Sequence, residues 1–431
     1  MKVLFVHAHA PGQYGHLAAR LAADPANTVV FLAREGGEAG NGVHLRRFAP
    51  HRAAKADAHP YLAPLETAVL NGQAAWRAAR ALRAEGFVPD IVCAHAGFGP
   101  GMYVKEAFPE SPLLGYFEWF YRAEGSDADF LLGPLDPDNA CRLRTLNAGI
   151  LLELSACDWG TCPTAFQRGQ FPAAFQDKLT TLHDGVDTGF FSPDPADGKV
   201  VGGIDLSGAR EVLTYATRGM DPYRGFPQFL EAAAELLARR PHLHVVVAGD
   251  ESVPYGPRRK DGRSYKAAGL EALAGRDLSR LHFTGTLGLA DYRRLLRLST
   301  VHAYLTVPFV LSWSLLEAMA TGCAIVASDT APVREVVDDG VEGVLTPFRD
   351  VPTLADRIGA LLDDPARRSA LGHAARVRML RDYRLDALLP RQLRLIQNLV
   401  ESRASGDVPA NRAEIATKFE PNKAGFKYSS R

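Results

Sequence analysis

Apolar and polar residues along the chain alternate between two regimes. Short continuous apolar runs read as parallel strands buried on both faces, and stretches with an apolar residue every three or four positions read as helices lying against them. In the first half the runs are Lys2–His7, Thr28–Leu32, Pro89–His95, Pro112–Phe117 and Lys178–Leu182. Helical spacing fills His16–Ala23, Pro64–Glu85 and Asp138–Ser155, while Gly36–His59 reads as irregular. In the second half the runs are Val212–Ala216, His244–Gly249, Leu281–Gly285, His302–Leu305 and Ala324–Ser328. The helices there are Pro227–Arg239, Ala290–Leu298, Ser314–Thr321, Leu354–Leu362, Arg367–Asp382 and Leu385–Ser402. Strand and helix alternate throughout, so both halves belong to the α/β class. At 431 residues the chain exceeds one ordinary core. The predicted division is a domain over 1–194, a second over 195–384, a final helix over 385–403 and a disordered polar tail over 404–431. No repeat of 20–50 residues is visible.

Composition narrows the class little further. Forty-seven per cent of residues are apolar or aromatic, and 49 basic residues balance 49 acidic ones. No net charge draws the chain to nucleic acid. No apolar run approaches the roughly 18–20 residues of a membrane span. Met1–His7 opens a strand and lacks the apolar core of a signal peptide. Cys93, Cys141, Cys157, Cys162 and Cys323 are odd in number and lack metal-ligand spacing. That usage fits a reducing cytoplasm.

Several stretches carry chemistry. Val301–Ser328 reads as strand, loop, helix and strand, an arrangement in which the first helical N–H groups lack internal partners and bind anions. Ser312–Ser314 marks that helix start, and Glu317 follows as an acceptor for hydroxyls held near it. Arg218 and Arg224 lie on one loop, and converging guanidiniums suit an anion between them. Gly12 and Gly15 form a turn where backbone amides can approach a ligand. His95 ends a strand, either as a ligand contact or as a solvated turn histidine. Glu118 also ends a strand, an awkward place for an idle carboxylate. The neighbouring Trp119–Tyr121 aromatics fit sugar contact or simple packing equally. Asp127 and Asp129 read as a mobile acidic loop, and Ser252–Ser264 as a basic flap.

Leu315-Leu316-Glu317-Ala318-Met319-Ala320-Thr321-Gly322 resembles the donor-site motif of the retaining family 4 (group 1) glycosyltransferases, with Phe309 where that motif carries its first Glu. Gly185-Val186-Asp187 matches their linker motif, with Asp184 in place of Asn. Ala331–Gly340 resembles their Pro-Glu-Val segment. The resemblance implies a GT-B fold: two Rossmann-like domains facing across a cleft, the last helix crossing back to the first domain. It implies a nucleotide-diphosphate sugar as co-substrate, a UDP-sugar in preference to a GDP-sugar, with no metal and no other cofactor. Arg218, Gly219, Arg224, Ser312, Trp313, Ser314 and Glu317 then bind the donor, with Thr286 and Leu287 at the base. Gly12, Gly15, Asp184 and Gly185 face the cleft. Glu118 stands where relatives carry a His and is expected to act in catalysis with His95. The acceptor stays open among a glycan, a lipid-linked sugar, a protein and a small molecule, as does peripheral membrane contact. The competing readings are a non-catalytic sugar-nucleotide or partner-binding protein, and an epimerase or hydrolase on the same fold.

Overall fold

A computed structural model describes residues 1–404. They divide into two units, Met1–Asp184 with the chain from Ala387 onward, and Gly185–Asp386. The polar tail expected over 404–431 lies, past Ala404, outside the described residues.

The first unit holds a seven-stranded parallel sheet: β1 (Lys2–Ala10), β2 (Thr28–Gly36), β3 (Val43–Arg47), β4 (Ile91–His95), β5 (Leu113–Tyr116), β6 (Trp159–Cys162) and β7 (Leu179–Thr181). The order is β3-β2-β1-β4-β5-β6-β7, with Lys2 opposite Thr28 and Val3 opposite Ile91. Strand periodicity sends alternate residues of β1 into opposite cores. Val3 and Phe5 pack on one face, and Leu4 and Val6 on the other. Both faces are covered, which is why the run is apolar throughout. The helices are α1 (Gly15–Ala22), α2 (Leu62–Ala84), α3 (Val104–Ala107), α4 (Asp127–Leu132), α5 (Pro137–Ala156) and α6 (Ala165–Gln170).

Two expectations are corrected here. The stretch read as irregular contains β3, an edge strand whose exposed positions blur its apolar pattern. Asp127 and Asp129 lie in α4 rather than in a loop, because Ser126 and Asp129 form a reciprocal cap at its start.

The second unit holds a small hairpin, β8 (Val200–Val201) with β9 (Ile204–Asp205). Its main sheet is parallel: β10 (Glu211–Gly219), β11 (Leu243–Asp250), β12 (Leu281–Gly285), β13 (Val301–Tyr304), β14 (Ile325–Ser328) and β15 (Val344–Thr346), in the order β12-β11-β10-β13-β14-β15. Its helices are α7 (Phe226–Arg239), α8 (Tyr265–Ala272), α9 (Leu289–Leu298), α10 (Trp313–Thr321), α11 (Ala331–Arg334), α12 (Val351–Asp363) and α13 (Pro365–Arg378). Gly322, at φ +80°, ends α10 as the sequence anticipates.

The last helix, α14 (Leu385–Ala404), packs on the first unit's sheet, burying Leu388, Leu395, Ile396 and Leu399 in the core that holds Val3 and Phe5. The domain boundary moves from the expected Asp194 to Asp184/Gly185. Val186 exchanges backbone hydrogen bonds with Tyr383 and Leu385, which ties this segment to the second unit. Gly185, at φ +93°, lies so close that a Cβ would stand 2.9 Å from the Leu385 Cα. No helix among the described residues is long and apolar enough to cross a membrane.

Candidate active site

In the second unit the chain leaves β10 toward β11 on one side, and β13 flanks β10 on the other. That reversal opens a crevice at the C-terminal ends of the strands. Arg218 near the end of β10, Arg224 from the following turn, and Ser312 and Ser314 at the start of α10 line one concavity there, and no acidic residue joins the lining. Arg218 is exposed and makes no hydrogen bond or ion pair among the described residues. Arg224 is 6 % exposed. Its Nη1 donates to Thr306 Oγ1 at 2.8 Å and to the Val310 carbonyl at 3.1 Å. The Ser312 hydroxyl accepts from the Ser314 N–H, capping α10, and the Ser312 N–H donates to the Tyr304 hydroxyl at 3.0 Å.

The turn that presents Arg224 is organised by a residue the sequence reading passed over. Asp221 is fully buried and accepts from the N–H groups of Tyr223 (2.7 Å), Arg224 (3.2 Å) and Tyr255 (3.2 Å). The signal for it was Asp221-Pro222, an N-capping acid before a proline. The bond to Tyr255 also pins the basic segment after β11. The Tyr255 ring lies 5.1 Å from the Arg224 guanidinium carbon, and Phe309 lies 5.8 Å from it. At the position of the motif's first Glu, therefore, stands an aromatic face. Arg224 makes cation–π contacts and, among the described residues, no ion pair, so its charge stays available to a ligand.

Other expected donor residues do not join that concavity. Glu317 lies beside Tyr292 of α9, where burial raises its carboxyl to about 7, the Tyr292 hydroxyl opposing the shift. Trp313 is 42 % exposed. Gly219 is buried under Ser252–Pro254. Thr286 is exposed beyond β12, and Leu287 packs beside Leu206 and Val212.

In the first unit β1 lies between β2 and β4, and the same reversal gathers polar groups at the strand ends. His95 is 1 % exposed, and its ring stacks between Phe98 and Tyr116 with centroids 5.4 and 5.2 Å away. Its Nε2 is 3.6 Å from Glu118 Oε2. The other carboxylate oxygen of Glu118 accepts from the Gln13 amide at 2.8 Å. Gln13 Oε1 is 2.9 Å from His7 Nε2, and His7 Nδ1 accepts from the His9 N–H at 2.7 Å. Burial and then the neighbouring His95 hold His7 far below its ordinary pKa, so it is neutral. Glu153 of α5 accepts from the Gly97 N–H at 2.8 Å and anchors the loop carrying Phe98. Burial pushes its carboxyl up to about 8.

The remaining glycines of the first loop sit where expected, Gly12 in the turn and Gly15 opening α1. Gly12 has φ +49°, and a Cβ there would strike the His7 ring at 2.9 Å. Asp184 accepts from the Tyr116 hydroxyl at 3.0 Å. His7 and Gln13 went unnoticed in the sequence. Their only local mark is a His-x-His at a strand end before a glycine turn.

Two doubly wound parallel sheets, each with polar groups gathered at its switch point, define a two-domain Rossmann-like protein of the GT-B class. Residues 25–191 match the model of the glycosyl transferase family 4 group, and residues 210–364 that of glycosyl transferases group 1. The chain belongs to the group 1 glycosyltransferases of family 4. It is 30 % identical over 180 residues to an alpha-D-kanosaminyltransferase of Streptomyces kanamyceticus, covering 41 % of this chain and 43 % of that one. It is 32 % identical over 210 residues to a D-inositol 3-phosphate glycosyltransferase of Kribbella flavida, covering 46 % of each. The chain thus matches somewhat under half the length of these curated relatives. The structure of HepE from Anabaena, in complex with UDP and glucose, superposes with a TM-score of 0.69 at 15 % identity, covering 92 % of this chain and all of that one.

Proposed function

We propose that the protein is a retaining glycosyltransferase that moves a sugar from a nucleoside-diphosphate sugar to an acceptor hydroxyl without a metal ion. The observation that carries this reading is the concavity lined by Arg218, Arg224 and the N-terminus of α10, with no acidic residue in its lining. Two guanidiniums and the positive end of the α10 dipole match the charge of a diphosphate and stabilise it as it leaves. Arg224 is held ready by Thr306 and Val310, so little reorganisation accompanies binding.

Glu317 is assigned to the ribose hydroxyls, and the backbone around Thr286 and Leu287 to the base. A UDP-sugar is the proposed donor, in line with the UDP bound by the HepE structure. Glu118 is assigned to a hydroxyl of the reacting sugars, with the His95 ring nitrogen 3.6 Å from its Oε2.

The test is a panel of UDP- and GDP-sugars with candidate acceptors, read as nucleotide release and product anomer. The expected result is acceptor-dependent release from a UDP-sugar, undiminished by a chelator, with the anomeric configuration kept. Release that ignores every acceptor makes the protein a hydrolase. Inverted product overturns the retaining assignment.

A further inference from the structure

The chain of hydrogen bonds behind Glu118 can run in one direction only. A backbone N–H always donates, so the His9 N–H at 2.7 Å requires His7 Nδ1 to be a bare acceptor. A neutral imidazole with a bare Nδ1 carries its hydrogen on Nε2. That hydrogen points at Gln13, 2.9 Å away, so Gln13 must turn its carbonyl oxygen toward His7. Its amide nitrogen is then turned the other way, 2.8 Å from Glu118 Oε1. Each group's orientation dictates the next, from the backbone of β1 to a carboxylate 109 positions further on than His9 (118 − 9).

The surroundings preserve this order. His7 is 3 % exposed, and its ring lies 4.3 Å from that of His95, so no water replaces its partners without a large rearrangement. Gly12 leaves room for the ring that no other residue would leave. A carboxylate only accepts and the His7 Nε2–H only donates, so both neighbours of Gln13 hold its amide in the same orientation.

We infer that His7 and Gln13 are positioning residues for Glu118: the strand backbone sets the His7 tautomer, His7 sets the Gln13 amide, and the amide holds one carboxylate oxygen so that the other is presented in a fixed direction. The role rests on the reading of Glu118 given under Proposed function. Neither residue touches the reacting sugars in this scheme.

Two measurements on the full chain test it. The first is 15N NMR of the imidazoles, with His7 assigned by the loss of its signals in His7→Gln. The expected spectrum has Nε2 protonated and Nδ1 bare at neutral pH. The second compares His7→Leu with His7→Gln, since a glutamine amide can replace the lost donor and leucine cannot. Nucleotide release is followed with whichever sugar of the panel the wild type uses, and UDP affinity is measured beside it. His7→Leu should lose about ten-fold or more in kcat while UDP affinity holds, since one hydrogen bond to a charged system is affected. His7→Gln should recover most of that loss. A general packing defect would instead lower both variants together and lower their melting temperatures. An Nδ1-protonated or cationic His7, or a His7→Leu protein as active as wild type, overturns the positioning role alone. A wild type that turns over no sugar nucleotide overturns the parent reading and, with it, this one.

Discussion

Replacing Glu317 by glutamine should make the unliganded protein more stable and its complex with UDP weaker. The carboxyl sits beside Tyr292 with its pKa raised from 4.5 to about 7 by burial. The folded state therefore holds this proton more tightly than the unfolded chain, and the stabilisation is full below pH 4.5 and lost as pH rises through 7. Working the two ionisations through, wild type loses about 2–3 kcal/mol between pH 5 and pH 8 from this one group. Glutamine does not ionise and escapes that loss. For a unit of this size, the melting-temperature difference between variant and wild type should widen in the variant's favour by about 5–10 °C over that range. UDP should reverse the preference. Ribose hydroxyls donate to a carboxylate, so wild-type affinity should tighten from pH 6 to pH 8 beyond any change seen in the variant. The variant should bind UDP about ten-fold or more weakly at pH 8, where the charge-assisted bond is complete. Calorimetric titration and thermal melts at both pH values read these quantities. A stability difference that is the same at pH 5 and pH 8 would refute the burial argument. Equal UDP affinity in the two proteins would take Glu317 off the ribose.

Arg218→Ala should weaken UDP binding several-fold to a hundred-fold with an unchanged melting temperature, because the side chain is exposed. Arg224→Ala should weaken it similarly but also destabilise the fold by about 1–3 kcal/mol, since Thr306 and the Val310 carbonyl lose their buried donor. Glu118→Gln should lower turnover about 10²-fold at near wild-type UDP affinity; full turnover in a stable variant would remove Glu118 from the reaction. Gly12→Ala should cost about 1–2 kcal/mol in stability from its left-handed backbone and should shift the His7 imidazole signals, because the new Cβ meets that ring. An unshifted His7 spectrum would show that the loop yields instead.

Much of this protein is written locally. The apolar runs of β1, β10 and β13, the helical spacing of α2 and α5, and the Gly322 stop after α10 depend on neighbours within a few positions, and each is legible without a structure. The same holds for Leu315–Gly322, whose motif points to its family. Edge elements were harder. β3 and β15 are short, and α4 is a six-residue helix whose Ser126-x-x-Asp129 cap was passed over in an acidic stretch. Strand order is not written in any window, because it comes from pairing between distant segments. That order places β1 beside β4 and β10 beside β13, and so brings His7, Gln13, His95 and Glu118 to one sheet end and Arg218, Arg224 and Ser312 to another. Residue identity likewise said nothing of environment. Arg218 and Arg224 are the same side chain six positions apart (224 − 218), yet one is exposed and the other is enclosed by Thr306, Tyr255 and Phe309. Burial and hydrogen-bond direction are sums over everything a side chain meets, and most of what these residues meet lies far away in the chain.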